Sequence, residues 1–473
     1  EYTKKITETK NNSEFYYEMV KFVAEFNDSH FGARVPSEHK GSLGFRADYV
    51  DNKFVIDTID REIASEEDFP FERGDEIVSF NEEPVLKEVE KIYPFMGQGT
   101  KLTAMRKAAS FIGFRHGSIT PVIEGKVKLV IKKGSSDFTE EVEREWVLSG
   151  DHLDEFIPGP KTETTKSITR SSSVNYNDIS LNIEPAFEKE FRCSGETRTH
   201  IPKDATIIMK KPFVAYYHKT EKGNIGYLRI PHYSPSEENK EINAYDLRFS
   251  QYEYAVSELE KNTVGLVIDQ DHNCGGSVSY LHRIVSLFAK KAFAPMQFEL
   301  LATKANFFNF KKWVNETQEY TIQYQNFLKV IELIKNTWQN GSSHLTTKTQ
   351  IGGKVKYQPN HIRYTKPIVI LIDELSGSGG DGFPAMMQGI GRAKLIGTQT
   401  MGAGGHVESI PPLSHSYIKV RITKSLFYHP NNIAIENNGA PPDIAYRPTL
   451  NDYIYEYRGY QKFYINELHK LIK

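Results

Sequence analysis

Apolar residues recur at helical spacing near the start of the chain. Phe15, Met19, Phe22 and Phe26 repeat, with Tyr16, Val20 and Val23 beside them. This pattern predicts one amphipathic helix over 13–26, capped by Ser13 and ending near Asn27. From 42 to 148 the period shortens to that of strands. Gly44-Phe45 opens one, Phe54-Val55-Ile56 forms a second, and Gly74-Asp75-Glu76-Ile77-Val78-Ser79-Phe80-Asn81 turns into a third. Val85 to Ile92 reads as a helix, and Val127 to Ile131 alternates like a final strand. Between 149 and 205 the apolar pattern stops. Thr162, Thr164, Thr165, Ser167, Thr169, Ser171, Ser172 and Ser173 crowd together there, which predicts a flexible Ser/Thr-rich linker open to nicking during activation.

From residue 206 to the end, strands and helices alternate. Strands are predicted at 226–230, 264–269, 368–372 and 394–397, and helices at 244–261, 277–289 and 380–389. Repeated strand–helix units imply an α/β core. Four segments follow: an N-terminal helical segment (1–41), a mostly β unit (42–148), the linker (149–205) and the core (206–473).

Composition changes this picture little. The 473 residues leave room for about three structural units, and the net charge of −2 gives no bulk attraction to nucleic acid or anionic lipid. Two cysteines, Cys193 and Cys274, exclude a disulfide framework and are expected to be unpaired, buried thiols. The longest apolar runs, such as Ile368 to Ile372, are too short to span a bilayer. The chain opens with Glu1 and has no apolar signal region. A removed leader, and hence a secreted or periplasmic protein, is expected.

The candidate chemistry sits in two glycine-rich turns, each after a buried strand. The first is Asp269-Gln270-Asp271-His272-Asn273-Cys274-Gly275-Gly276. The second is Asp373-Glu374-Leu375-Ser376-Gly377-Ser378-Gly379-Gly380-Asp381. Loops at the carboxyl ends of strands are where α/β proteins place their sites. Glycines let backbone amides approach a ligand, which suits an oxyanion hole. No His-x-x-x-His, Cys-x-x-Cys or phosphate-loop lysine pattern occurs, so no metal and no cofactor are expected.

These motifs, taken in order, resemble those of the C-terminal processing peptidases, the tail-specific proteases. Gly226-Tyr227-Leu228-Arg229-Ile230 is similar to the opening strand of that family's core. Val267 to Gly276 is similar to its Asp-Leu-Arg-x-Asn-Pro-Gly-Gly motif, with Asp271 for the usual Arg and Cys274 for the usual Pro. Ser376 to Asp381, Gly391 to Gly397 and Thr400-Met401-Gly402 are similar to its nucleophile helix and the strand after it. The order of elements over 42–148 resembles a PDZ domain, which could add a substrate strand to its edge. The resemblance implies a crotonase-like (ClpP/crotonase) α/β core of strand-strand-helix units with an inserted PDZ-like domain.

The resemblance places the nucleophile at Ser378. One branch of the family uses a lysine in a Gly-Lys-Gly turn, where this chain has Gly402-Ala403-Gly404, and Lys394 lies in a strand. The other branch is similar to the tricorn core and chlamydial secreted proteases and uses serine, histidine and glutamate. It implies His30 as general base, Ser29 before it as an accessory, and Glu436 as the third member. His272 and His406 are rival bases. Gly379, with Gly275 or Gly276, would supply the oxyanion hole. The implied activity is a serine endopeptidase acting on polypeptide substrates, with a homodimer as one assembly, no nucleic acid and no membrane span. Two other functions stay open. One is a non-catalytic ligand carrier on the same fold, and the other is a PDZ scaffold with a degenerate protease attached.

Overall fold

The computed structural model describes residues 1–150 (except 98, 135 and 137), 197–235, 243–341, 344–351 and 354–472. These fall into two compact units. One holds the described residues up to 150 together with Val407–Ile422. The other holds the described residues from 197 to His406 and from Thr423 onward. The C-terminal segment is therefore not one continuous core, because 407–422 belongs with the first unit. The Ser/Thr-rich stretch lies outside the described residues.

The first unit begins with α1 (Tyr2–Thr7) and α2 (Asn12–Ala24). Asn11 caps α2, accepting from the Glu14 amide at 2.8 Å; the expected cap, Ser13, lies inside the helix. The apolar face of α2 buries Tyr16, Val20 and Val23 against Ala33, Val35 and Ile418. β1 (Gly32–Arg34) pairs antiparallel with Lys419–Thr423, which also neighbours Val407–Ser409.

β2 (Lys40–Ser42) leads into β3 (Phe45–Val50), β4 (Lys53–Ile59), β5 (Glu76–Phe80) and the short β6 (Glu83–Pro84). Helices α3 (Val85–Ile92) and α4 (Lys101–Ser110) follow. Then come β7 (Phe114–His116), β8 (Lys126–Lys132), β9 (Thr139–Glu145) and β10 (Val147–Ser149). The main sheet runs β3-β4-β5-β8-β9, with β6 on β5. β8 is thus not the last strand, and the long stretch after α3 holds a second helix.

The second unit is built on a seven-stranded sheet. β11 (Thr206–Met209), β12 (Ala215–Thr220) and β13 (Gly223–Arg229) are antiparallel. β13, β14 (Gly265–Asp269), β16 (Ile368–Ile372) and β17 (Lys394–Gly397) are parallel neighbours in that order, and Ile444–Ala445 closes the sheet. β15 (Phe298–Leu300) stands apart and pairs with Ser425–Phe427. Every residue of β14 and β16 is buried, as expected for parallel strands covered on both faces. Helices run over Ala244–Asn262, Val278–Ser286, Gly379–Gly389 and Arg458–Leu471, and a helical pair, Lys304–Glu316 and Ile322–Asn340, precedes β16. The end of the expected linker, from 197 on, is packed into this unit: Thr199 is buried and Thr197 bonds the Tyr227 hydroxyl at 2.7 Å. Among the described residues no helix is long and apolar enough to cross a membrane.

Candidate active site

β14 and β16 lie side by side and point the same way, so the turns at their carboxyl ends emerge together. Hydrogen bonds knit the two turns. The Gly377 amide donates to the Asn273 carbonyl at 2.9 Å. The Ser376 hydroxyl donates to the Gln270 carbonyl at 2.7 Å, and the His272 amide donates to Asp373 Oδ1 at 2.8 Å. Asn273 Nδ2 reaches back to the Ile230 carbonyl at 2.7 Å. Asp269 finds a cation despite having Asp271 where an arginine was expected. Arg229, on the neighbouring strand, donates to Asp269 Oδ1 at 3.0 Å and to the Asp271 carbonyl at 2.6 Å.

Ser378 stands at the N-terminus of the Gly379–Gly389 helix with φ 58° and ψ −113°. This backbone region is almost closed to residues with a side chain. From 368 to 387 every residue is buried except Ser378, which is partly exposed. The fold thus spends backbone strain to present one hydroxyl at the strand–turn–helix corner, the geometry of a nucleophile elbow.

Gly275 lies directly behind this residue. A Cβ built on it would stand 2.6 Å from Ser378 Cβ and 2.8 Å from the Gly379 nitrogen. Its own amide donates to Asn273 Oδ1 at 2.8 Å, so that donor is engaged. The amides of Gly276 and Gly379 have no acceptor among the described residues.

Asp381, one helical turn after Ser378, is a residue that the sequence motifs gave no role. It is fully buried. Oδ1 accepts from the Thr400 hydroxyl at 2.6 Å and the Gly402 amide at 2.8 Å, and Oδ2 accepts from the Ala403 amide at 3.0 Å. The Ser378 amide also favours its ionised form. One carboxylate therefore joins the nucleophile turn to the turn at 400–403. That turn in turn holds Glu436, whose Oε2 accepts from the Gly404 amide at 2.8 Å. Gly404 has no room for a side chain, since a Cβ would stand 2.4 Å from the Glu436 nitrogen.

Burial pushes the Asp381 carboxyl up from 3.8 to about 6, against the opposing donors. Between those values the native protein keeps a proton that the unfolded chain has released. This contribution to stability is full below pH 3.8 and is lost as pH rises to about 6. The difference, 6 − 3.8 = 2.2, corresponds to about 3 kcal/mol. In urea unfolding, the stability of wild type relative to Asp381→Asn is expected to fall by roughly that amount, about 3 kcal/mol, between pH 3.5 and pH 7. A difference that stays constant with pH would refute the raised value.

The remaining candidates separate by unit. His272 Nε2 lies 3.2 Å from Asp373 Oδ2 in the buried base of the turns. His406 is partly buried, and this desolvation pushes its pKa down to about 4; its Nδ1 bonds the Ser425 hydroxyl at 2.9 Å. Lys394 Nζ pairs with Asp443 at 2.8 Å. Ser29 and His30 belong to the first unit, in the turn between α2 and β1. The Asp28 carboxylate accepts the His30 amide at 2.8 Å, and Arg421 Nε donates to the His30 carbonyl at 2.8 Å. Both side chains are buried, and Ser29 Oγ has no hydrogen-bond partner among the described residues. Cys274 is not a free thiol as expected. It is disulfide-bonded, and Cys193, the only other cysteine of the sequence, lies outside the described residues.

The model of the family described as Peptidase family S41 matches residues 224–446, which span both glycine-rich turns, Ser378 and Glu436. Residues 224–446 belong to peptidase family S41. A PDZ domain model matches residues 39–157 of this S41 peptidase. An uncharacterised protein of Chlamydia muridarum is 26% identical over 452 residues, covering 84% of this chain and 74% of that protein. A carboxy-terminal-processing protease of Bartonella bacilliformis is 36% identical over 95 residues, 20% of this chain and 21% of that one. The structure of mature CPAF complexed with lactacystin has the same fold. Its TM-score is 0.78 at 22% identity, covering 100% of this chain and 91% of that one. The S41 peptidase is therefore a serine-type hydrolase of peptide bonds with a mixed α/β fold and a PDZ domain. His30 lies outside both matched segments.

Proposed function

We propose that this S41 peptidase is an endopeptidase that works through an acyl-enzyme on Ser378, with His30 as general base and Glu436 as its carboxylate partner. The observation that carries the nucleophile is the strained corner at φ 58°, where Ser378 alone reaches solvent in a buried run. The engaged states of His272, His406 and Lys394 support a base from elsewhere in the chain. His30 and Ser378 belong to different units, so the proposal requires the catalytic state to join them.

The Ser378 hydroxyl attacks the scissile carbonyl while its proton passes to the His30 imidazole. The tetrahedral oxyanion is held by amides of Gly379 and Gly276, because the Gly275 amide is already spent on Asn273. The C–N bond then breaks, and the amine leaves with the proton from His30. Water repeats the sequence on the acyl-enzyme. Glu436 fixes the imidazole tautomer and stabilises the imidazolium. Ser29 is an accessory beside the base. The second unit is a crotonase-like core in this reading. A secreted or periplasmic site of action agrees with the disulfide at Cys274, since such bonds persist in oxidising compartments.

The test is labelling with a fluorophosphonate, which phosphonylates activated serines with loss of fluoride, followed by mapping of the modified residue. Label is expected on Ser378, with the rate falling about a thousandfold in His30→Ala. Label elsewhere, or none under any condition, would dispose of the nucleophile. An unchanged rate in His30→Ala would dispose of the base alone.

A further inference from the structure

A PDZ domain takes an extended peptide as an added strand on an exposed sheet edge. The main sheet of the first unit ends in β3 on one side and β9 on the other. β9 carries Glu140, Glu141, Glu143 and Glu145, which guard that edge with like charge. β3 would then be the accepting edge, but it is already covered.

The cover is α4. It packs against both β3 and α3, the sheet edge and the helix between which an added strand would have to lie. Apart from Arg106, its inner face is made of small side chains. Ala104, Ala108 and Ala109 are buried in one apolar cluster with Phe45 and Ala47 of β3 and Val85 and Val89 of α3. Small residues allow the helix to come close.

A buried ion pair fixes it in place. Arg106 of α4 donates from Nε to Asp48 Oδ1 at 2.8 Å and from Nη2 to Oδ2 at 2.7 Å, and the two side chains are 8% and 1% exposed. This two-point fork is the geometry in which a guanidinium holds a carboxylate best. Asp48 is itself a residue of β3, and its Oδ1 also accepts the amide of Tyr49 at 2.7 Å. The strand's own polar groups are therefore turned to holding α4 and capping the edge.

We infer that α4 is a built-in occupant of the peptide-accepting edge, with Asp48–Arg106 as its latch. An extended polypeptide strand reaches β3 only when α4 is displaced. The PDZ domain in this state does not add a substrate strand there; it is a closed module that opens.

The test uses the full chain carrying Ser378→Ala, so that peptides are not cut. The probe is a fluorescein-labelled decapeptide of alternating Val and Thr with a free C-terminal Val. Two opened forms are compared with the parent: Asp48→Asn with Arg106→Gln, and replacement of residues 101–110 by a Gly/Ser linker of equal length. Polarisation titrations are expected to show at least tenfold tighter binding in both opened forms. In both, peptide should slow hydrogen exchange at amides 45–50. If the paired substitution fails to fold, as judged by circular dichroism, the linker form decides. Equal curves for parent and opened form, or tighter binding without protection at 45–50, overturn the inference.

Discussion

Replacing Ser378 by alanine is expected to lower kcat/KM on an unfolded protein substrate by at least about a thousandfold, without loss of stability. The chemistry requires the hydroxyl, and no neighbouring side chain can replace it. Ser376, two residues earlier, is fully buried, and its hydroxyl oxygen lies 2.7 Å from both the Gln270 carbonyl and Asp373 Oδ1, which share its one proton. The stability half of the expectation follows from the backbone. Alanine at φ 58° and ψ −113° suffers the same strain as serine, so the variant should melt with wild type. Glycine does not suffer it. Ser378→Gly should be as inactive as alanine yet more stable by about 1 kcal/mol, because it relieves that backbone. Thermal melting of the three proteins, read beside their activities, checks both halves. A glycine variant no more stable than the alanine one would mean that the corner is not strained. Activity within tenfold of wild type in either would remove Ser378 as nucleophile.

How far this site could be read from the chain depends on what each feature rests on. Ile368–Ile372 and Lys394–Gly397 were legible to the residue because a buried parallel strand is a short, continuous apolar run. The tight turn around Ser378 was legible because glycines on both sides mark a backbone that such a turn needs, while the role of Ser378 came only from the resemblance. Asp381 was not. A carboxylate in the first turn of a helix reads as an ordinary favourable charge, and its four donors come from its own turn and from 400–403. α4 was missed for a related reason. Its buried face consists of Thr103, Ala104, Arg106, Ala108, Ala109 and Ser110, so it carries no hydrophobic stripe. The helices Lys304–Glu316 and Ile322–Asn340 leave Phe308, Trp313 and Trp338 exposed, which blurs their periodicity. The state of Cys274 depends on a distant residue, and spacing does not encode it. The departure of 407–422 to the first unit is likewise a matter of strand pairing with β1, which no local pattern announces.

Gly275→Ala is expected to cost about a hundredfold to a thousandfold in kcat/KM while leaving the fold in place. Gly275 has φ 76°, so alanine would be strained there in any surroundings. Strain alone would lower stability by roughly 1–2 kcal/mol and need not touch catalysis. The surroundings add the decisive effect. The new Cβ would stand 2.6 Å from Ser378 Cβ and 2.8 Å from both the Gly377 carbonyl oxygen and the Gly379 nitrogen. None of these belongs to the far end of a flexible side chain, so the two turns must separate. Any separation moves the nucleophile and the Gly379 amide together, and a misplacement of about 1 Å can cost a hundredfold. Gly391 supplies the control. It has φ 65°, but nothing lies within 4 Å of a Cβ built on it. Gly391→Ala should therefore show the strain without the collision: a lower melting temperature and unchanged kcat/KM. If Gly275→Ala and Gly391→Ala lose the same amount of activity, the close approach of the two glycine-rich turns has no part in catalysis. If only Gly275→Ala loses activity, and fluorophosphonate labelling of Ser378 slows with it, the contact behind the nucleophile positions the reacting hydroxyl.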